Sequence, residues 1–277
     1  MNPKIRFSKL VGAGNDFVLV DNREKLFGSS RALARFAVAI CNRRRGAGAD
    51  GLLALERSRL ADVRMRFFNA DGSEGEMCGN GARCFAYFVS RQRRRKSLAL
   101  DIETKAGIVH AVVKDRRIKI RLTPPRDVIP DIPLRLRNRT IRAHFIDTGV
   151  PHAVIFVDGL DRLDVDGLGR QIRHHRRFAP AGTNVNFVQT IGAGDLRIRT
   201  YERGVEAETL ACGTGSTAAA LIMSLKSGGG QRMVRVHTRG GEILKVYFRR
   251  KDAAFEEVWL EGPARIVYTG SYSASFL

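Results

Sequence analysis

Two short stretches of this 277-residue chain carry the same chemistry. "CGNGARC" begins at Cys78 and "CGTGSTA" at Cys212, each a cysteine followed by Gly-polar-Gly and then an apolar run. That order puts a thiol at the mouth of a helix, where unpaired N–H groups and the helix dipole favour an anion. A cysteine so placed is expected to have a lowered pKa. The glycines let a ligand approach the backbone, so Gly79, Asn80 and Gly81, and likewise Gly213, Thr214 and Gly215, are candidates to donate N–H groups to a carboxylate. Two such thiols on opposite sides of one carbon make a two-base device. One removes a proton, the other returns one on the opposite face, and a stereocentre inverts without a cofactor. Helix ends aimed at the adjacent carboxylate would stabilise the enolate-like carbanion. Cys41 and Cys84 lie inside apolar helical runs and read as small core hydrophobes. No C-x-x-C or common zinc spacing is present, so no metal site is expected.

The two cysteine segments belong to a longer repeat. Cys78 and Cys212 are 134 residues apart, as are Gly48 and Gly182, and Thr104 and Thr238. "GAGNDFVLVD" from Gly12 resembles "GVPHAVIFVD" from Gly149 at an offset of 137, and Pro125 pairs with Pro263 at 138. The drift reads as loop insertion, with "KDAAFEE" (251–257) a candidate. Ordered pairs at nearly one offset indicate a duplicated domain. The first repeat domain is expected over 1–126 and the second over 127–264, with the active site in the cleft between them. "DVIPDIPLRLRNRT" would join the two as an extended connection set by Pro130 and Pro133. The tail 265–277 starts like a strand and is expected to return to the first domain.

The elements that must position the cysteines are mostly strands. "DFVLVDN", "LLALE", "VRMRFFNA", "LALDIET", "IVHAVV" and "RIKIRL" are short, β-branched or alternating, and bounded by turn residues. "SSRALARFAVAICNR" has a serine start and helical spacing. "GARCFAYFVSR" and "GSTAAALIMSLKSG" are apolar on nearly every side, which marks buried helices. The expected fold class is α+β: two similar pseudo-symmetric domains, each a mixed, mostly antiparallel sheet or barrel wrapped around a central helix that starts at its cysteine. "GAGADG" (46–51) matches the dinucleotide pattern G-x-G-x-x-G, but it follows a helix and opens into a strand. That context is the reverse of what nucleotide binding needs, so a glycine turn is the reading.

Hydrophobic residues at 44% and charged residues at 27% describe a globular chain. No apolar run approaches the ~20 residues of a membrane span, and no secretion signal is seen, so reduced thiols in the cytoplasm are expected. The net charge is +20, with short runs at Arg43 to Arg45 and Arg91 to Lys96. Without a zinc finger, RNP-like strand or helix-turn-helix, a solvated basic surface is the reading and a nucleic-acid partner is not expected.

The quoted segments carry a resemblance. "GAGNDFVLVDN", "FFNADGSEGEMCGNGARC", "GVPH", "GTNVNF" and "YERGVEAETLACGTGS" resemble, in order and across the whole chain, the diaminopimelate epimerases of the pyridoxal-phosphate-independent amino-acid racemase group. The resemblance implies interconversion of LL- and meso-2,6-diaminopimelate, no cofactor, and a homodimer. It implies that Cys78 and Cys212 are the acid/base pair, assisted by His152 and Glu202. Asn15, Asn69, Asn184 and Arg203 would hold the substrate, Arg203 on the distal carboxylate, and Glu202 would bind the reacting ammonium. Gly79, Asn80, Gly213 and Thr214 would take the reacting carboxylate through backbone N–H groups. Two positions depart from the family pattern: Gly51 stands where some members have Gln, and Val150 where Asn is frequent. A proline or hydroxyproline racemase of the same fold is the near alternative, and a basic nucleic-acid-binding protein is the alternative of another class. An arginine at 203 suits a two-carboxylate substrate better than a one-carboxylate substrate.

Overall fold

A computed structural model of the chain describes residues 4–137, 139–228, 230–251 and 254–273. It divides into two compact units, Met1–Ile120 with Gly262–Leu277, and Arg121–Glu261. The first contains β1 (Lys4–Gly12), β2 (Asn15–Asp21), α1 (Ser30–Cys41), β3 (Gly51–Glu56), β4 (Val63–Asn69), β5 (Glu74–Gly75), α2 (Gly79–Gln92), β6 (Ser97–Thr104), β7 (Gly107–Lys114) and β8 (Arg117–Arg121). The second contains β9 (Arg126–Arg135), β10 (Thr140–Asp147), β11 (Pro151–Phe156), α3 (Val165–Arg173), β12 (Asn184–Gly192), β13 (Asp195–Glu202), β14 (Ala207–Thr209), α4 (Gly213–Lys226), β15 (Met233–His237), β16 (Ile243–Lys251) and β17 (Ala254–Pro263). A last strand, β18 (Arg265–Ser273), lies antiparallel on β1 in the first unit.

Both units follow one topology. In the first, the strands run β18-β1-β2-β3-β4-β6-β7-β8, with β5 also on β4. In the second, β9-β10-β11-β12-β13-β15-β16 run in the same pattern, β17 follows on β16, and β14 lies on β13. The two parallel contacts fall at equivalent places, β2–β3 and β4–β6 against β11–β12 and β13–β15. The remaining contacts are antiparallel, which makes each unit an α+β fold with a mixed sheet. β18 takes on β1 the place that β9 takes on β10.

The cysteine helices are the central ones. α2 is buried from Asn80 to Ser90 and packs against β1, β2, β3, β4, β6, β7 and β18. α4 packs against β10, β11, β12, β13, β15 and β16. A helix surrounded by strands has no solvent face, which is why its sequence is apolar all round. The other sheet face carries the amphipathic helix. Phe36, Ala37 and Ile40 of α1 pack in one cluster with Val18, Val20, Leu52 and Ala54, while α3 places Leu168 and Ile172 with Val185 and Phe187. Strands covered on both faces read as continuous apolar runs, as "GLLALE" does.

Three details differ from the sequence expectation. The linker with Pro130 and Pro133 is a paired strand, β9, and Leu122 N–H donates to Val258 O, so the unit boundary falls at Ile120/Arg121 rather than after 126. The later boundary likewise falls at Glu261/Gly262 rather than after 264. Among the described residues of its unit β9 pairs with β10 alone, and an edge strand tolerates proline. Helix α3, capped by the Asp164 carboxylate on Gly167 N–H at 2.9 Å, was not foreseen because its nine residues include two glycines. Finally, the offset drift near the end comes from a longer hairpin: β16 and β17 have 9 and 10 residues where β7 and β8 have 8 and 5. Residues 252 and 253 of "KDAAFEE" and the last four of the tail lie outside the described residues.

Candidate active site

In the first unit, Cys78 is the N-cap of α2, with extended backbone (φ −132°, ψ 119°) and Sγ accepting the Gly81 N–H at 3.4 Å. The first-turn N–H groups of Gly79 and Asn80 have no intrahelical acceptor, which is the general condition of a helix start. Cys78 is half-buried, whereas Cys84, two turns into the helix, is fully buried and its thiol is pushed up to about 12 by that burial. Cys41 is also buried and pushed up to about 12 for the same reason. Both belong to the core.

Asn15 opens β2 beside this helix start. Asn80 Nδ2 donates to Asn15 Oδ1 at 2.6 Å, and Asn15 Nδ2 donates to Asp50 Oδ2 at 2.9 Å. Asn69 closes β4, where its Nδ2 donates to Ser73 Oγ at 2.9 Å across the turn. Asp16 and Asp50 bind Arg43, and Asp16 also binds the buried Lys9 at 2.7 Å. Part of the first basic run therefore serves an internal ion-pair network. Lys9 and Arg43 hold the Asp16 carboxyl down at about 2 against the opposing effect of its burial.

In the second unit Cys212 caps α4 in the same way (φ −124°, ψ 115°), its Sγ accepting the Gly215 N–H at 3.4 Å and lying 3.4 Å from Thr214 Oγ1. Here the expectation of a lowered pKa is overturned. Burial pushes the Cys212 thiol up to about 12, with the nearby Glu202 carboxylate adding to the shift, and the Thr214 hydroxyl and the Gly215 and Thr214 N–H groups do not offset them. The residue is 8% exposed, and loss of water costs a thiolate more than one helix end returns. Burial also raises the Glu202 carboxyl above its ordinary range.

His152 is fully buried on β11 and is driven down to about 3, first by burial and then by the Arg203 guanidinium. It is thus neutral. Asn186 Nδ2 lies 3.1 Å from His152 Nδ1 and donates to Ala153 O at 3.2 Å, while Thr200 Oγ1 donates to Asn186 Oδ1 at 3.0 Å. An amide donor on Nδ1 leaves the ring proton on Nε2, which is buried without a partner among the described residues. Asn184 Oδ1 accepts the Arg203 backbone N–H at 2.9 Å and its Nδ2 donates to Pro151 O at 3.0 Å. Arg203's guanidinium donates to Ala181 O at 3.3 Å, its one described hydrogen bond, leaving further donors for an anion.

The structure thus gathers Asn15, Asn80 and Cys78 in one unit, and His152, Asn184, Glu202, Arg203, Cys212 and Thr214 in the other. Sequence reasoning missed Asn186, Asp50 and Arg83. Asn186 follows Asn184 by two in "TNVN", the spacing of one strand face, and Gly215 is what admits it, since a Cβ there would lie 2.3 Å from Asn186 Oδ1. Gly51 has no room for the family's glutamine: a Cβ would meet Phe67 Cε2 at 2.6 Å and Phe68 O at 2.7 Å. Val150 lies in the β10–β11 turn, where its carbonyl accepts the Thr148 N–H at 3.1 Å. "GAGADG" runs from the end of α1 into β3 as a turn, with Gly48 at φ +70°.

Comparison with known proteins shows the family of the chain. The sequence profile described as diaminopimelate epimerase matches residues 7–127 and 144–267. A diaminopimelate epimerase of Hydrogenobaculum sp. is 42% identical over 279 residues, covering 96% of this chain and 98% of the relative. That of Chlorobaculum tepidum is 44% identical over 263 residues, covering 94% and 98%. Among solved structures, a Bacillus anthracis phenazine biosynthesis protein of the PhzF family superposes with a TM-score of 0.76 at 18% identity, covering 98% of this chain and 99% of that one. A probable proline racemase from Agrobacterium radiobacter gives 0.71 at 14%, covering 96% and 92%. These last two share the fold alone. With two matched profile segments, and with relatives above 40% identity over nearly the full length, the chain belongs to the diaminopimelate epimerase family.

Proposed function

We propose that this chain interconverts LL- and meso-2,6-diaminopimelate by a two-base reaction in which Cys78 and Cys212 are the bases. One observation carries the reading: the two cysteines, 134 residues apart, cap α2 and α4 with nearly the same backbone angles and the same 3.4 Å N–H contact to sulfur. In the reaction a thiolate takes the Cα proton, the electron pair moves toward the carboxylate, and the second thiol delivers its proton to the opposite face. The enzyme ends with the two protonation states exchanged, which serves the reverse direction. Burial raises the Cys212 thiol, which suits it to be the proton donor; Cys78 would then be the base.

The reacting carboxylate would take the first-turn N–H groups of Gly79, Asn80, Gly213 and Thr214, where helix ends stabilise the developing charge. Glu202 would receive the reacting ammonium, which would restore its carboxylate from the raised state. Arg203 would bind the distal carboxylate with its remaining donors, and Asn15, Asn69 and Asn184 would hold the substrate's polar ends. Neutral His152, with Asn186 on Nδ1, offers Nε2–H as a donor that keeps its own proton. A cytoplasmic homodimer accompanies this reading. The four free cysteines suit a reducing compartment, and sedimentation of the purified protein tests the dimer. Among the described residues no helix is long and apolar enough to cross a membrane.

The test is proton exchange. Purified protein in heavy water with LL-diaminopimelate and no added cofactor should place deuterium on the α-carbon as the meso form appears. Cys78→Ala and Cys212→Ala should each stop epimerisation. Normal turnover in either variant overturns the two-base assignment.

A further inference from the structure

Arg83 is fully buried in the second turn of α2, a position where a charge is costly unless its donors are used. Its Nη2 donates to Asn80 Oδ1 at 2.5 Å. Asn80 Nδ2 then donates to Asn15 Oδ1 at 2.6 Å and to Ala13 O at 3.3 Å, and Asn15 Nδ2 donates to Asp50 Oδ2. Asp50 is in turn fixed by the Asp16 N–H at 3.1 Å and by Arg43 at 2.6 Å. A guanidinium has only donors and a carboxylate only acceptors, so the two ends of this chain dictate the direction of every bond between them. Carboxamide oxygen and nitrogen are nearly the same size, and only such partners decide which way an asparagine faces. The β1–β2 turn that carries Asn15 is also pressed onto α2: a Cβ on Gly12 would lie 2.8 Å from Cys84 Sγ and 3.4 Å from Asn80 O.

We propose that Arg83 is a positioning residue for substrate, acting through Asn80 to fix the orientation of the Asn15 carboxamide. The inference rests on Asn15 holding substrate, as proposed above. Without Arg83, Asn80 keeps only its donor contacts to Ala13 and Asn15 and can swing on its own χ angles. Asn15 then loses the anchored neighbour on its oxygen while Asp50 still holds its nitrogen. Substrate would meet a group that is present but loosely set.

The experiment is a kinetic cycle on the full chain with LL-diaminopimelate, using Arg83→Met, Arg83→Gln, Asn15→Ala and Asn15→Ala/Arg83→Met, with thermal melting of each. Losing one charge-assisted hydrogen bond to the relay should raise KM about tenfold in Arg83→Met with a smaller change in kcat. Replacing a buried charge by an apolar side chain of similar length is often neutral for stability, so Tm should move little. Arg83→Gln keeps an N–H donor and should recover part of KM; it also carries the test if Arg83→Met fails to fold. The double variant should be no worse than Asn15→Ala, because both act through one group. The inference falls if Asn15→Ala raises KM while Arg83→Met and Arg83→Gln leave it unchanged, if the two effects multiply, or if Arg83→Met lowers Tm with KM intact. If Asn15→Ala itself leaves KM unchanged, the placement of Asn15 on substrate fails first, and the role of Arg83 with it.

Discussion

The two cysteine sites share a backbone and differ in their electrostatics. Each thiol caps a buried helix and accepts the N–H three residues on at 3.4 Å. Beside the Cys78 helix start, Arg83 donates to Asn80, and Asn80 leads through Asn15 to Asp50 and its Arg43 ion pair. Around Cys212 the titratable groups are pushed toward neutrality: His152 well below its usual range, and Glu202 and the thiol itself above theirs. At the offset of 137 that aligns "GAGN" with "GVPH", Asn15 and His152 are equivalent positions. One unit puts a carboxamide there and the other a neutral imidazole. Duplication supplied a pair of thiols on one scaffold, and divergence around them set a polar relay beside one and a burial that raises the other.

The largest expected effect separates the capping cysteines from the core cysteines. Cys78→Ala or Cys212→Ala should lower kcat/KM by about 10²–10⁴-fold or more, the usual contribution of a general acid or base. Cys84→Ala and Cys41→Ala should retain activity within about threefold and lose about 1 kcal/mol of stability through a small cavity. A large kinetic loss in Cys84→Ala with unchanged melting would break the division. Next in size is thiol reactivity. Iodoacetamide reacts with thiolate, and Cys212 is both buried and held protonated, so near pH 7.5 Cys78 should alkylate at least about tenfold faster. Peptide mapping over time measures the ratio, and equal rates would erase the asymmetry.

A third comparison uses the equivalent glycines at the third helical position. A Cβ on Gly215 would lie 2.3 Å from Asn186 Oδ1, whereas one on Gly81 would meet Leu53 Cδ2 at 3.2 Å and Cys78 Cβ at 3.4 Å. Gly215→Ala must displace a carboxamide that holds both His152 and Thr200, so it should cost about 1–3 kcal/mol as other overpacked sites do. At Gly81 a leucine terminus can turn aside, and alanine's helix propensity returns up to about 1 kcal/mol, so the net change should be near zero. Chemical denaturation of the two variants gives the contrast, and equal losses would mean that Asn186 is not tightly set.

The fold was legible because strand and helix periods are local signals, and because the repeat let one half check the other. "GARCFAYFVSR" and "GSTAAALIMSLKSG" are apolar on all sides only if strands surround them, and they are so surrounded. The positions of the capping cysteines were legible for the same reason. The Cys212 pKa was not, because a Cys-Gly-Thr-Gly string shows the helix end that lowers a thiol and conceals the burial that raises it. Arg83 hid in a run read as apolar. Asn186 sat behind the more conspicuous Asn184, and its role depends on Gly215, which is distant in sequence. Pro130 and Pro133 indicate an extended connection but do not show that it pairs as the strand β9, whose edge position accommodates them.

The smallest effect concerns acid stability and contrasts His152 with Asn15 at the equivalent position. His152 binds its proton only near pH 3 when folded, against 6.5 for a free histidine. Between those values the unfolded chain holds a proton that the folded chain does not, so protonation favours unfolding. The stability linked to His152 is therefore complete above about pH 6.5 and is lost as pH falls toward 3, with a slope of no more than about 1.4 kcal/mol per pH unit. Asn15 has no proton to bind and contributes no such slope. His152→Asn should be somewhat less stable at pH 7.5, where the neutral ring packs well, and should lose less between pH 6.5 and 5. Urea melts of the two proteins at several pH values measure the difference in slope. Parallel lines over that interval would mean that the imidazole titrates alike in both states, and the neutral, buried ring assigned to the Cys212 site would have to be given up.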